Sequence, residues 1–308
     1  MMSTMAGVTL CECFARDGLQ HEPAFVPTAT KRALIERFAV LGFRRIEATS
    51  YANPKVVPQF ADASELLKSL PRRAGTFYKA TCANPRAVER ALADLEAGFG
   101  VNEISLLVSA TEAHTQKNLN RTRAGQWANV EDMVRLAGGR FRMVGTVSVA
   151  FGCPFEGSVD PGVVAEDVAR FAALGVAHVA IGDTTGLATP RSVAAMVKRM
   201  PSEAKLIAHF HDTRGTGLAN CVAAHEAGVR FFDASFGGVG GHPAKVKYGG
   251  GHTGNVCTED LVNLFETMGI GTSIDLDGLI ATAEYCEEVL GRELHGRVTR
   301  SGLSPRID

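Results

Sequence analysis

His209 and His211 stand two apart in the apolar run from Lys205 to His211, which predicts a strand. A strand period of two sends both imidazoles to one face, and two imidazoles side by side suggest a metal ion. An isolated His-x-His is more often a pair of ordinary buried histidines, so the company they keep decides the reading. Asp17 can bring a hard carboxylate oxygen from the end of the first strand, and Asn255 an amide oxygen from the loop after the last. Two nitrogens and two oxygens suit a divalent cation such as Mg2+ or Mn2+, with positions open to water or substrate. A closed zinc site built on cysteines fits this set less well.

Other polar residues gather round these four in the chain's pattern. Arg16 precedes Asp17, and a guanidinium there could hold an oxygen that gains enolate charge, or it could simply pair with Asp17 or Glu47. Glu47 lies in the apolar stretch Ile46-Glu47-Ala48-Thr49-Ser50, where an unpaired charge is costly, so Arg16 is its expected partner. Asp183 reads equally as a general base or as a helix N-cap before Pro190. Gln20, a candidate substrate-binding residue, and Glu12 have similarly open roles, and Asp212 is expected to orient His211 from behind.

All of these require elements that bring distant segments together. Short β-rich runs alternate with helical ones, and eight strands are expected: Val8 to Phe14, Arg45 to Thr49, Thr76 to Cys82, Glu103 to Val108, Arg142 to Val149, His178 to Gly182, Lys205 to His211 and Arg230 to Phe236. Helices are expected from Thr30 to Leu41, Pro85 to Gly98, Pro161 to Gly175, Pro190 to Met200 and Gly217 to Gly228, several opening on proline and closing on glycine. Eight βα units make a (β/α)8 TIM barrel, in which catalytic groups sit at the C-terminal ends of the strands. An open doubly wound sheet would need a glycine-rich phosphate turn after its first strand, and Phe14-Ala15-Arg16-Asp17-Gly18 is unlike one. One barrel domain over residues 1–308, with a helical extension from about Thr258, accounts for the 308 residues. Length alone also admits two small domains.

The 32 Lys plus Arg against 33 Asp plus Glu leave no basic footprint for nucleic acid or an anionic membrane, so a small-molecule substrate is expected. No apolar run reaches the roughly 20 residues that span a bilayer, and no leader pattern opens the chain. The seven cysteines, odd in number and without the close pairing of a zinc site, read as reduced thiols of a cytoplasmic protein.

Six ordered motifs resemble the 3-hydroxy-3-methylglutaryl-CoA lyase family. They are Arg16-Asp17-Gly18-Leu19-Gln20-His21-Glu22, the Ile46 to Ser50 run, Gly152-Cys153-Pro154-Phe155-Glu156-Gly157, Gly182-Asp183-Thr184, His209-Phe210-His211-Asp212-Thr213, and Gly254-Asn255 before Thr258-Glu259-Asp260. The resemblance runs from the first strand to the tail helices. It implies metal ligands at Asp17, His209, His211 and Asn255, a catalytic arginine at Arg16 and active-site acids at Glu47 and Asp183. It also implies an acyl-CoA substrate, a homodimer and a place in leucine breakdown. The wider group includes isopropylmalate and homocitrate synthases and pyruvate-dependent aldolases and carboxylases.

Two departures bear on the reaction. The family's glycine-rich lid carries a cysteine in Gly-Gly-Cys-Pro-Tyr, whereas this chain reads Gly240-Gly241-His242-Pro243-Ala244, and Phe155 replaces a tyrosine of Cys-Pro-Tyr-Glu-Gly. In the implied retro-Claisen cleavage, Asp183 or His209 takes the hydroxyl proton and Arg16 stabilises the thioester enolate. His242, with an ordinary pKa near 6.5, could then reprotonate the carbon, with His252 a weaker candidate. The alternatives are a lyase for citramalyl-CoA or a branched 3-hydroxyglutaryl-CoA, an aldolase or condensing enzyme using a 2-oxo acid, and a non-catalytic metal-binding relative.

Overall fold

The eight apolar runs become β1 Thr9–Glu12, β2 Arg45–Ser50, β3 Phe77–Cys82, β4 Glu103–Ser109, β5 Arg142–Ser148, β6 His178–Asp183, β7 Lys205–Phe210 and β8 Phe231–Ala234. The computed structural model describes residues 7–241 and 254–305. Each strand pairs in parallel with the next, and β1 pairs with β8 from Thr9 opposite Phe231 to Glu12 opposite Ala234, closing a (β/α)8 barrel. The helices are α1 Thr28–Val40, α2 Ala63–Ser69, α3 Pro85–Glu96, α4 Glu112–Leu119, α5 Arg123–Ala137, α6 Pro161–Ala173, α7 Pro190–Val197, α8 Gly217–Glu226, α9 Thr258–Thr267, α10 Leu279–Leu290 and α11 Val298–Ser301.

The proline-led helices start where the sequence places them because each has a polar residue ahead of the ring. Asn84, Asp160 and Thr189 accept from the amides of Ala87, Gly162 and Ser192, and proline in the first turn gives up no helical hydrogen bond. Four expected strands end early, β5 at Ser148 and β8 at Ala234 among them. β1 stops at Glu12, since the Glu12 carboxylate takes the Phe14 amide at 2.9 Å and the chain turns into a single π-helical turn, Phe14–Gly18. β7 stops at Phe210, and His211 instead forms an isolated bridge with Asn255.

Strand alternation turns Leu10, Ile46, Ala48, Ala80, Ile104 and Leu106 outward into the core beneath the helices. The inward residues divide. Val144, Ala180 and Ile207 pack with Phe231 as a small apolar cluster. The side formed by β2, β3 and β4 instead carries paired charges: Arg45 lies 2.9 Å from Glu103 and 3.4 Å from Asp233, and Lys79 lies 3.6 Å from Glu47. Charges in such a place are tolerable only when paired. Beyond β8, Phe265 of α9 packs edge-on against Phe232 at 5.1 Å, and Tyr285 of α10 takes Arg37 of α1 over its ring at 4.1 Å. No helix among the described residues is long and apolar enough to cross a membrane.

Candidate metal centre and active site

The π-turn carries Arg16 and Asp17, and one carbonyl shapes it. Cys13 O accepts from the amides of Arg16, Asp17 and Gly18 at 3.1, 2.8 and 3.2 Å, which swings the Asp17 carboxylate toward β7. There His209 and His211 hold their rings 5.4 Å apart, and the segment after β8 is stitched alongside by Val256 N to Phe210 O at 3.1 Å and Asp212 N to Gly254 O at 2.8 Å. Asp17, His209 and His211 each offer one ligand atom, and all three atoms lie within 4.8 Å of one another. Asn255 joins them, its amide donating to Asp17 Oδ2 at 2.6 Å and to Val239 O at 3.1 Å.

These residues form a group able to hold a metal ion, and two orphaned atoms support the fit. Asn255 Oδ1 and His211 Nδ1 are buried and have no hydrogen-bond partner, which is costly for polar atoms unless something else meets them. Gly240 approaches so closely, at φ +141°, that a Cβ there would sit 2.1 Å from Asn255 Nδ2. Burial opposes the charge on Asp17, but Arg16, both histidines and the Asn255 amide hold its carboxyl down to about 2. Burial and the neighbouring His209 push His211 down to about 4, so its imidazole is neutral, the form that binds metals.

Arg16 reaches both expected partners, Asp17 at 3.2 Å and Glu47 at 3.6 Å. Glu47 also accepts from Thr81 Oγ1 at 2.6 Å and lies 3.6 Å from the Lys79 ammonium. Asp183, buried at the end of β6, is not the cap of α7; Thr189 holds that position in a capping box with Ser192. Its two carboxylate oxygens instead accept from Leu187 N at 2.8 Å and Ala188 N at 3.1 Å, bracing the loop. Burial outweighs those amides and raises its pKa to about 6. Gln20 is half-buried on the short turn Leu19–His21.

Other expectations move. Asp212 accepts from Gly217 N at 2.6 Å and so secures the start of α8. The group that touches a histidine from behind is Asp233, with Oδ2 3.3 Å from His209 Nδ1. Glu12 is fully buried and clamps the Phe14 and Phe236 amides and Thr258 Oγ1 at 2.9, 3.2 and 2.6 Å. Asp233 and Lys79 stand outside the expected set, although each is a charge inside an apolar strand, the same signal that singles out Glu47. Cys11 and Cys13 bring their sulfurs 4.0 Å apart and form with Asp233 a second group of ligand types. That carboxylate is already engaged by His209, Arg45 and Lys79. All seven cysteines are free thiols. His242 and His252 lie outside the described residues.

A closed (β/α)8 barrel that brings carboxylate and imidazole ligand atoms and an arginine together at one mouth has the framework of a barrel enzyme. Residues 7–286 match the family model described as HMGL-like, and the chain belongs to that family. It is 36% identical over 296 residues to the hydroxymethylglutaryl-CoA lyase of Bacillus subtilis, covering 94% of this chain and 95% of that one. It is 35% identical over 315 residues to the (R)-citramalyl-CoA lyase of Chloroflexus aurantiacus, covering 97% and 96%. Among solved structures, an HMG-CoA lyase from Acinetobacter baumannii in complex with coenzyme A and 3-methylmalate superposes with a TM-score of 0.91 at 36% identity, covering 100% of this chain and 99% of that one.

Proposed function

We propose that this protein is a carbon–carbon lyase that cleaves 3-hydroxy-3-methylglutaryl-CoA to acetyl-CoA and acetoacetate. The observation that carries the reading is the convergence of Asp17, His209 and His211 within 4.8 Å, in a chain whose relatives are lyases of this kind. Asp17, His209, His211 and Asn255 would hold the ion, and the mixed nitrogen and oxygen set favours Mg2+ or Mn2+. A bound divalent cation supplies Lewis acidity that makes a substrate hydroxyl easier to ionise and fixes its orientation.

The protein's own groups do the rest. Asp183, with a carboxyl near 6, is ionised at neutral pH yet basic enough to accept the hydroxyl proton, whereas His209, with Nδ1 against Asp233 and Nε2 toward the ion, has no nitrogen left for that role. As that proton leaves, the hydroxyl carbon becomes a ketone and the adjacent carbon–carbon bond breaks. Its electron pair passes to the thioester carbonyl, where the Arg16 guanidinium steadies the enolate oxygen. Glu47 holds Arg16 at the mouth. The enolate carbon finally takes a proton, and His242, standing where the family has its lid cysteine, is the donor proposed from the sequence. We take the working form to be a homodimer.

A second substrate, citramalyl-CoA, is favoured by one observation: the citramalyl-CoA lyase is as similar to this chain as the hydroxymethylglutaryl-CoA lyases are. The test supplies each thioester with Mn2+ to the parent, His242→Ala and His242→Cys, and follows acetyl-CoA. Release of acetyl-CoA and acetoacetate by the parent is expected, with a loss in the alanine variant that cysteine recovers. Release of pyruvate from citramalyl-CoA alone would select the second substrate. Failure on both thioesters by protein that binds Mn2+ would end both substrate assignments and turn the search to branched 3-hydroxyglutaryl-CoA and then to 2-oxo acids.

A further inference from the structure

We propose that Asp233 and Lys79 are a buried positioning pair: Asp233 fixes the His209 imidazole, and Lys79 ties that carboxylate to the one that holds Arg16. The inference rests on the reading of Asp17, His209, His211 and Asn255 as a cation site.

His209 and Asp233 are opposite one another in the β7–β8 register, so both side chains leave the same inner face. With Asp233 Oδ2 3.3 Å from Nδ1, the proton of the neutral ring belongs on Nδ1, and Nε2 is left with its lone pair for the centre. His211 has no equivalent support, since its Nδ1 lacks a partner. His209 is therefore the histidine whose tautomer and ring angle the barrel determines. A carboxylate inside Phe231–Ala234 needs cations of its own, and it has Arg45 at 3.4 Å and Lys79 at 3.8 Å. Arg45 is chiefly committed to Glu103, which it meets through Nε at 3.1 Å and Nη2 at 2.9 Å. Lys79 is different. Its ammonium sits between Asp233 and Glu47, at 3.8 and 3.6 Å, and Glu47 is in turn 3.6 Å from Arg16. One charge on β3 thus spans the two carboxylates that set the two working groups, His209 and Arg16.

The test measures Mn2+ binding to metal-free protein by calorimetry, and kcat and KM for the thioester the parent cleaves, in Asp233→Asn, Lys79→Met and the double variant. Asp233→Asn should bind Mn2+ about 10- to 100-fold more weakly, the usual range for losing a partner of a ligating histidine. Lys79→Met should lower kcat while KM stays within about twofold, the pattern of a transition-state effect transmitted through Arg16. The double variant removes one charge of each sign, so it should melt near the parent and still bind Mn2+ weakly. Parental Mn2+ affinity in Asp233→Asn, or its recovery in the double variant, would mean that the pair only holds the barrel together and would overturn the proposal. A parent that binds Mn2+ with unchanged variants fails this inference alone. A parent that binds no Mn2+ fails the cation reading and this inference with it.

Discussion

Glu12 shows how far burial can change one residue. With no exposure and three donors aimed at it, its pKa is pushed by burial from 4.5 to about 8, against the Thr258, Phe14 and Phe236 hydrogen bonds. Between those two values the unfolded chain releases the proton while the folded protein keeps it. The unfolded state then binds fewer protons, so this contribution to stability is complete below pH 4.5 and is lost as pH rises toward 8. Glu12→Gln cannot ionise, yet it keeps an oxygen for the two backbone amides and places its amide NH2 against Thr258 Oγ1. Its melting temperature relative to the parent should therefore climb from pH 5 to pH 8, measured by calorimetry at both. A constant difference across that range would refute the account.

At the level of elements, function hangs on what happens just past strand ends. The π-turn after β1 and the bridge between His211 and Asn255 after β7 are irregular segments, and the regular strands beside them keep them in register. Asp212 belongs to this scale. Because its carboxylate accepts the Gly217 amide at the start of α8, Asp212→Ala should cost about 1 kcal/mol in urea denaturation, the usual net loss for one hydrogen bond. Mn2+ affinity should stay within about twofold, since the ring of His211 is not what Asp212 touches. A large loss of affinity with unchanged stability would restore Asp212 as an orienter of the histidine.

For the whole molecule, barrel closure is what makes a site from residues as far apart as Asp17 and Asn255. Their hydrogen bond joins the first loop to the segment after β8, so an ion held there reinforces the seam where the barrel closes. A ligand that binds only the folded state at about 100 times its Kd adds roughly 2.7 kcal/mol. Mn2+ should accordingly raise the melting temperature in a concentration-dependent way, and EDTA should return it to the metal-free value. No response to saturating Mg2+ or Mn2+ would argue against a resident divalent cation.

The chain's own pattern determined the eight strands, their order and the polar residues at their ends. Period and punctuation are local properties, and Asn84-Pro85, Asp160-Pro161 and Thr189-Pro190 announce their helices within a few residues. His209, His211 and Glu47 were legible because each is a polar residue in an apolar strand. The role of Asp183 as a loop brace, the bond from the Gly217 amide to Asp212 and the pairing of Asp233 with His209 were not. Each depends on which way a side chain turns once strands distant in sequence lie side by side. Lys79 states the physical reason most plainly: its meaning comes from Glu47 on one side and Asp233 on the other, and only the closed barrel puts a single ammonium within 4 Å of both.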